Sequence, residues 1–359
     1  MTILREKMEN KKVVRSDSVT EFLTRLFSTS GLSNADAAYT AQCMVQTNLW
    51  GVDSHGVLRA PIYASRIKKG VINPAPQFTT VSGGPSKALE VMDGDAGMGY
   101  IVAREGMSRA INKAKQFGTG TVLVKNSNHL GAAALFARMA SEQGLIGIAA
   151  TSVIPNIGMK GNKEPSTGNN PIAMAAPLYN EFPFCLDISM SNVAGGKLLL
   201  AAKNNEKIPT DWAVTQEGLE TDDPVEGFKG FLLPVGMHKG FGMSLFIDIL
   251  AGVASGGAFS HQLRSMYKHP DDPSLTCHLF YVIDPGCIMP QAEFEARMRE
   301  WAGMIQSTPM VNPGQKQIIP GELEFLSEKR RLQEGFPLSL DLLDELQQLA
   351  DDIGVDFTL

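Results

Sequence analysis

Gly94-Asp95-Ala96-Gly97-Met98-Gly99 follows an apolar run, Ala88 to Met92, that reads as a strand. It precedes a helical pattern from Ile101 to Phe117. A glycine-rich turn between strand and helix is where a Rossmann fold binds a dinucleotide, so its spacing decides the fold. Rossmann loops need GxGxxG, because each glycine has its own task against the pyrophosphate and the packed strand. Here the order is GxxGxG, and the next strand, Thr121 to Lys125, runs into Lys125-Asn126 rather than into an acid able to hold a ribose hydroxyl. The stretch therefore reads as a tight strand–helix turn, in a sheet domain of another kind.

Outward from this turn, strands and helices alternate. A helix from Gly131 to Gln143, strands Ile146–Thr151, Ile172–Ala176 and Phe182–Asp187, and a helix from Asn192 to Asn204 are expected. A long loop then leads to a helix over Phe241–Ala254, a strand His278–Ile283 and a helix Gln291–Ile305. The Gly-, Pro- and Asn-rich stretch from Ser152 to Pro171 reads as a functional loop. At the N-terminus, Ser18 with Glu21 forms a capping-box pattern ahead of Val19, Phe22, Leu23, Leu26 and Phe27. Ser33 with Asp36 opens a second helix that stops at Gly51. The chain ends in helical patterns, Glu322–Arg331 and Ser339–Ile353. The expected class is mixed α/β, with residues 1–76 packing with 318–359 as a helical part beside a central sheet domain, 77–317.

Bulk composition fits this. The chain has 359 residues, 43% hydrophobic and 19% charged, which suits an ordered globular protein. A net charge of −6, with no basic run beyond Lys329-Arg330-Arg331, argues against nucleic-acid binding. Met1 to Asp17 shows no signal-peptide core, and Met243 to Val253 is far too short to span a bilayer. Four Cys without CxxC spacing read as free thiols in a reducing cytoplasm. The six His and four Cys never reach zinc-like spacing, so no metal is expected. No GxxxxGK[ST] and no GxSxG occurs, which removes P-loop and hydrolase readings.

Five segments could carry chemistry. Asp53-Ser54-His55-Gly56-Val57-Leu58-Arg59, just past a helix end, joins a titratable imidazole, a hydroxyl and a guanidinium able to grip a carboxylate with two hydrogen bonds. A surface turn with a capping Asp is its plain alternative. Asn126-Ser127-Asn128-His129 through Ala133 is a strand-to-helix turn whose free N–H groups could attract an anion, or an N-cap with a buried His. Thr167-Gly168-Asn169-Asn170-Pro171 offers amides and a hydroxyl to a pocket, or is merely a turn. Asp187 at a strand end precedes a helix start, a place that ligand sites favour and that a capping Asp takes as commonly. His238-Lys239-Gly240 places two groups able to carry positive charge before a helix, where a phosphate could be held.

Taken together, the blocks Asp53-Ser-His-Gly-Val-x-Arg59-x-Pro61-x-Tyr63, Gly94-x-x-Gly97-x-Gly99, Asn126-Ser-Asn-His-x-Gly-Ala-Ala133, Gly168-x-Asn-Pro171, Asp187 through Lys197, His238-Lys-Gly-x-Gly242 and Pro320-Gly-Glu322 resemble the malate/L-lactate dehydrogenase family. That family also holds sulfolactate, ureidoglycolate and diketogulonate enzymes. The resemblance implies a non-Rossmann fold, a homodimer, and NAD or NADP as hydride carrier for a small 2-hydroxy or 2-keto acid. It implies His55 as proton donor and acceptor with Ser54 orienting it, and leaves His129 open for the same task. Arg59, Tyr63 and Thr167 fall to the substrate. His129, Leu130, Gly131, Ala132, Ala133, Ser152, Asp187, Ile188, Ser189, His238, Lys239, Pro320, Gly321 and Glu322 fall to the cofactor. Asn169 and Ile188-Ser189 depart from the family's usual Thr and Met-Ala. A reductase of cyclic imine 2-carboxylates and a catalytically silent nucleotide-binding protein are the alternatives.

Overall fold

The computed structural model describes residues 10–312 and 314–359; residues 1–9 of the polar N-terminal stretch lie outside them. Strand β1 (Lys11–Val14) leads into helices α1 (Ser16–Ser30), α2 (Asn34–Leu49) and α3 (Ala60–Lys68). Then come β2 (Thr79–Ser82), β3 (Leu89–Asp93), α4 (Gly99–Phe117), β4 (Thr119–Ser127), α5 (Ala134–Ser141), β5 (Ile146–Thr151), β6 (Ile172–Ala176) and β7 (Phe184–Ile188). The chain continues through α6 (Gly195–Lys203), β8 (Ala213–Val214), α7 (Pro224–Lys229), β9 (Phe231–Leu232) and α8 (His238–Ile247). It closes with β10 (Thr276–Ile283), α9 (Gln291–Gln306), α10 (Glu322–Glu334), β11 (Phe336–Ser339) and α11 (Leu340–Ile353).

Seven strands form one mixed sheet in the order β2-β3-β4-β10-β5-β6-β7, in which β3 and β4 run parallel and every other pair antiparallel. The parallel pair is joined by α4, as a parallel connection requires a crossover element. Strand residues alternate between two apolar cores. Val122, Val124, Ala149 and Phe280 face the core shared with α1, α2, α4, α5 and α11. Leu123, Ala150, Cys277 and Leu279 face a second core with α6 and α8. With both faces covered, the sheet's two ends are left to carry a site.

Several elements differ from the sequence expectation. The first helix starts at Ser16, with Arg15 as its N-cap and no side-chain cap, so Ser18 sits inside the first turn and the capping box is not formed. The cause is β1, which pairs antiparallel with β11 and delivers the chain to its helix early. Ser33 does cap α2, accepting from the Asp36 N–H. The helix expected from Phe241 starts at His238 and passes at Asp248 into a π-helical turn, Asp248–Val253. The helix expected from Gly131 starts at Ala134.

Candidate active site

The turn after α2 is locked from two directions. The buried Asn48 side chain accepts the Val57 N–H at 2.8 Å and donates to Asp53 at 2.7 Å. From α10, Arg331 reaches both Asp53 oxygens, at 2.5 and 3.1 Å, and the Asn48 carbonyl at 2.6 Å. The turn so fixed presents Ser54 and His55, whose Oγ and Nδ1 lie 2.8 Å apart. Arg59, the residue before α3, folds back to donate from Nε to the Ser54 carbonyl at 2.9 Å. One helical turn later comes Tyr63.

The glycine stretch 94–99 serves the opposite wall. The Gly94 and Ala96 N–H groups are taken by the carbonyls of Lys125 and Asn126, both at 2.9 Å, so they are not offered to a phosphate. The carbonyls of Ala96 and Gly97 accept from the Asn128 side chain at 2.8 and 2.9 Å. A Cβ on Gly99 would fall 2.1 Å from the His129 carbonyl oxygen, so only glycine lets α4 begin beneath that backbone. The turn is thus a seat for His129, whose ring stacks on His55 with centroids 5.7 Å apart and planes at 27°.

Hydrogen bonds assign the His129 tautomer. Its Nδ1 accepts the Gly131 N–H at 3.3 Å and so also accepts the Tyr63 hydroxyl at 2.5 Å, leaving the proton on Nε2. Gly131, at φ +75°, is forced by the same packing: a Cβ there would meet the Tyr100 hydroxyl at 2.4 Å. Burial, then the Arg59 charge, lowers His55 to about 4. Burial, followed by His55, Arg59 and His278, holds His129 well below the usual imidazole range. Beneath them His278 is fully buried between Thr151 and Ser127, 2.8 Å from each hydroxyl, and burial lowers it to about 3. Both site imidazoles are therefore neutral at pH 7.

The remaining predicted residues gather along the edge strand β7 and its continuation. Asp187 accepts the Ala134 N–H at 2.8 Å and caps α5, so the helix start read as an anion site is filled by the chain's own carboxylate. Although the residue as a whole is open to solvent, that carboxyl is raised to about 6, chiefly by desolvation. Nearby, Cys185 N–H donates to the Pro320 carbonyl at 3.0 Å, which brings up Gly321 and Glu322. Glu322 is buried, with Lys316 on one carboxylate oxygen and, among the described residues, no partner on the other. Beyond Ile188 and Ser189, Met190 bonds to Asn169 and Val235, at 2.8 and 2.9 Å, which places the 167–170 loop and His238-Lys239 on the same edge. His238 and Lys239 are exposed, and among the described residues neither side chain makes a hydrogen bond or ion pair.

Leu130, Ser152 and Thr167 are among the predicted residues turned inward. Leu130 is fully buried. Ser152 bridges to both the carbonyl and the N–H of Cys277 at 3.2 and 3.0 Å. Thr167 donates its hydroxyl to Asp248 at 2.6 Å, inside a buried network with Ser244 and Asn170. The sequence carries no sign of a role here for Asn48 or Tyr267, and it shows Arg331 only as part of a basic triplet and His278 only as the start of a strand. Among the described residues no three His, Cys, Asp or Glu side chains gather as metal ligands, and no helix is long and apolar enough to cross a membrane.

Comparison with known proteins places this arrangement. The malate dehydrogenase of Pyrococcus horikoshii is 38% identical over 356 residues, 97% of each chain. The ureidoglycolate dehydrogenase (NAD(+)) of Escherichia coli K12 is 32% identical over 89% of each, and the (2R)-3-sulfolactate dehydrogenase (NADP(+)) of Chromohalobacter salexigens 30% identical over 71% of this chain and 76% of its own. Among solved structures, sulfolactate dehydrogenase from Methanocaldococcus jannaschii superposes with a TM-score of 0.90 at 32% identity, covering 96% of this chain and 98% of that one. The delta1-piperideine-2-carboxylate reductase of Pseudomonas syringae follows with 0.82 at 27% identity, over 94% and 100%. Fold and relatives together define an oxidoreductase, a dehydrogenase on a mixed sheet without a Rossmann loop. The chain belongs to the malate/L-lactate dehydrogenase family, whose profile matches residues 14–347.

Proposed function

We propose that the protein interconverts a small 2-hydroxy acid, of the malate, lactate or sulfolactate kind, and its 2-keto acid, with NAD or NADP. One observation carries the reading: two neutral imidazoles, His55 and His129, stand face to face 5.7 Å apart, with the Arg59 guanidinium folded over the same turn. Arg59 holds the substrate carboxylate through its fork of N–H donors. His129 donates from Nε2 to the C2 oxygen. His55 accepts the hydroxyl proton in oxidation and returns it in reduction; with Nδ1–H turned to Ser54, its Nε2 is free for this. The nicotinamide cofactor, when bound, accepts or supplies the hydride.

The residues present fit such a cofactor. His238 and Lys239 stand exposed at the start of α8 and suit its phosphates, while the unpartnered buried oxygen of Glu322 suits a ribose hydroxyl. Relatives named for NAD and for NADP leave both in play. We further read residues 1–76 with 318–359 as a unit flanking 77–317. A homodimer is supported by Met243, Phe246, Ile249 and Val253, which form an exposed apolar stripe along α8 and its π turn. Four unpaired cysteines suit a reducing cytoplasm. The reductase neighbour supports a second substrate class, cyclic imine 2-carboxylates, for which Arg59 and the same histidines would serve a C=N bond. A panel of 2-keto acids and cyclic imines, each run with NADH and NADPH, tests both; no oxidation of either nucleotide with any of them sinks the assignment.

A further inference from the structure

Helix α3 carries more than the site's Arg59 and Tyr63. On the same face, at helical spacing, Arg66 is buried and fastens a loop that has no helix or strand of its own. It donates to the carbonyls of His269, Pro270 and Asp272 at 3.3, 2.8 and 2.9 Å and to the Ser274 hydroxyl at 3.1 Å. Lys69 adds an ion pair to Asp271 at 2.6 Å. The loop closes on itself where Arg264 N–H meets the Ser274 carbonyl at 3.1 Å. Its other limb is turned by Ser265, whose hydroxyl accepts the N–H groups of Tyr267 and Lys268 at 3.3 and 3.2 Å. That turn brings Tyr267 over Arg59: the guanidinium lies 5.3 Å from the ring centroid, and its NH1 donates to the phenol oxygen. Both partners are thus held by one helix, Arg59 at its start and Tyr267 through Arg66.

We propose that Tyr267 is a substrate-contacting residue that completes the carboxylate grip and limits the size of the group at C2. Because the phenol oxygen accepts from Arg59, its own proton is free to donate onward, and a carboxylate on the outer edge of Arg59 is the acceptor within reach. Hydrogen bonds to an ionised acceptor are the strong kind. The ring, half of it in solvent, forms a wall beside that carboxylate, where the substituent at C2 must pass. The inference rests on Arg59 taking the substrate carboxylate.

Tyr267→Phe keeps the ring and removes the donor; Tyr267→Ala removes both. Because about half of Tyr267 is exposed and it lies in a loop, both variants should fold, which thermal melting checks. Kinetics with 2-keto acids bearing a methyl, a carboxymethyl or a benzyl group at C2 form the test. Tyr267→Phe raises KM for each acid by about tenfold, the scale of a hydrogen bond to a charged group, with kcat and cofactor affinity retained. Tyr267→Ala in addition shifts relative kcat/KM toward the benzyl acid. Variants that match the parent in KM and in ranking overturn the proposal, as does a fall in kcat with KM unchanged. Failure of the underlying reading is separate: a parent inactive on every acid, or an Arg59→Lys variant with unchanged KM, overturns both together.

Discussion

Around His55 and His129 nearly every polar group already has its partner, whereas along α8 large apolar side chains and those of His238 and Lys239 face solvent with no partner among the described residues. In the first region Asn48, Arg331, Ser54, Tyr63 and Gly131 hold the His55 turn and the His129 ring by hydrogen bonds, with His278 buried between two hydroxyls nearby. In the second, Met243, Phe246, Ile249 and Val253 stand open beside His238 and Lys239. The contrast teaches what each task demands. Proton transfer needs dipoles fixed before the reaction, so the chain supplies them itself. Binding a large ligand or a second subunit needs surface left unsatisfied until the partner comes.

The largest effect should come from the organised region. His55→Ala is expected to cut kcat by about 10²–10⁴-fold with cofactor affinity retained, the usual worth of positioned acid–base catalysis. His129→Ala should disturb binding at least as much as turnover. If His129→Ala abolishes turnover with cofactor bound normally and His55→Ala stays active, the roles are exchanged. The pH profile sharpens this. With His55 lowered to about 4, kcat/KM for oxidation should hold from neutral pH down and fall only near pH 4, instead of near the ordinary histidine value. The kcat limb should lie higher, because a carboxylate on Arg59 removes part of the charge that depresses His55. Stability has the same sign: the unfolded chain takes up protons first, so stability is full above about pH 6.5 and is lost as pH falls toward the folded values.

On the open side, Lys239→Ala should weaken NAD(P)H by about 1–3 kcal/mol, read by nicotinamide fluorescence. Unchanged affinity in a folded variant would move the phosphate site away from α8. Smallest in chemistry is Phe246→Asp, which should shift elution from a dimer toward one 38.8 kDa chain. A parent that already elutes as a single chain would refute the dimer.

Long periodic elements were legible in the sequence: β5 and β6 fall on the expected residues, and α4 and α9 within two. Short elements set by distant partners were not. Strand β1 has four residues and exists because β11 pairs with it. Helix α3 escaped notice although Pro61 in its first turn is a start signal. In the site, His55, Arg59 and His129 were visible because their residue types imply chemistry at close spacing. The partners that hold them were not, since Arg331 and Tyr267 arrive from far along the chain and no local pattern announces such a meeting. Position 187 is a case the sequence leaves open: a strand-end acid before a helix suits a ligand or a cap equally, and here its carboxylate accepts from the first N–H of α5.

The ion pair between Asp53 and Arg331 spans 278 positions of the chain. Closing so long a loop costs on the order of 5 kcal/mol in chain entropy, and packing throughout the intervening fold must offset it first. During synthesis from the N-terminus, the turn that carries His55 therefore emerges early and receives its last fastening late, when α10 has left the ribosome. A partly made chain has the imidazole proposed to move the proton without the frame that aims it, so on that reading reactivity arrives with the near-finished fold and not before.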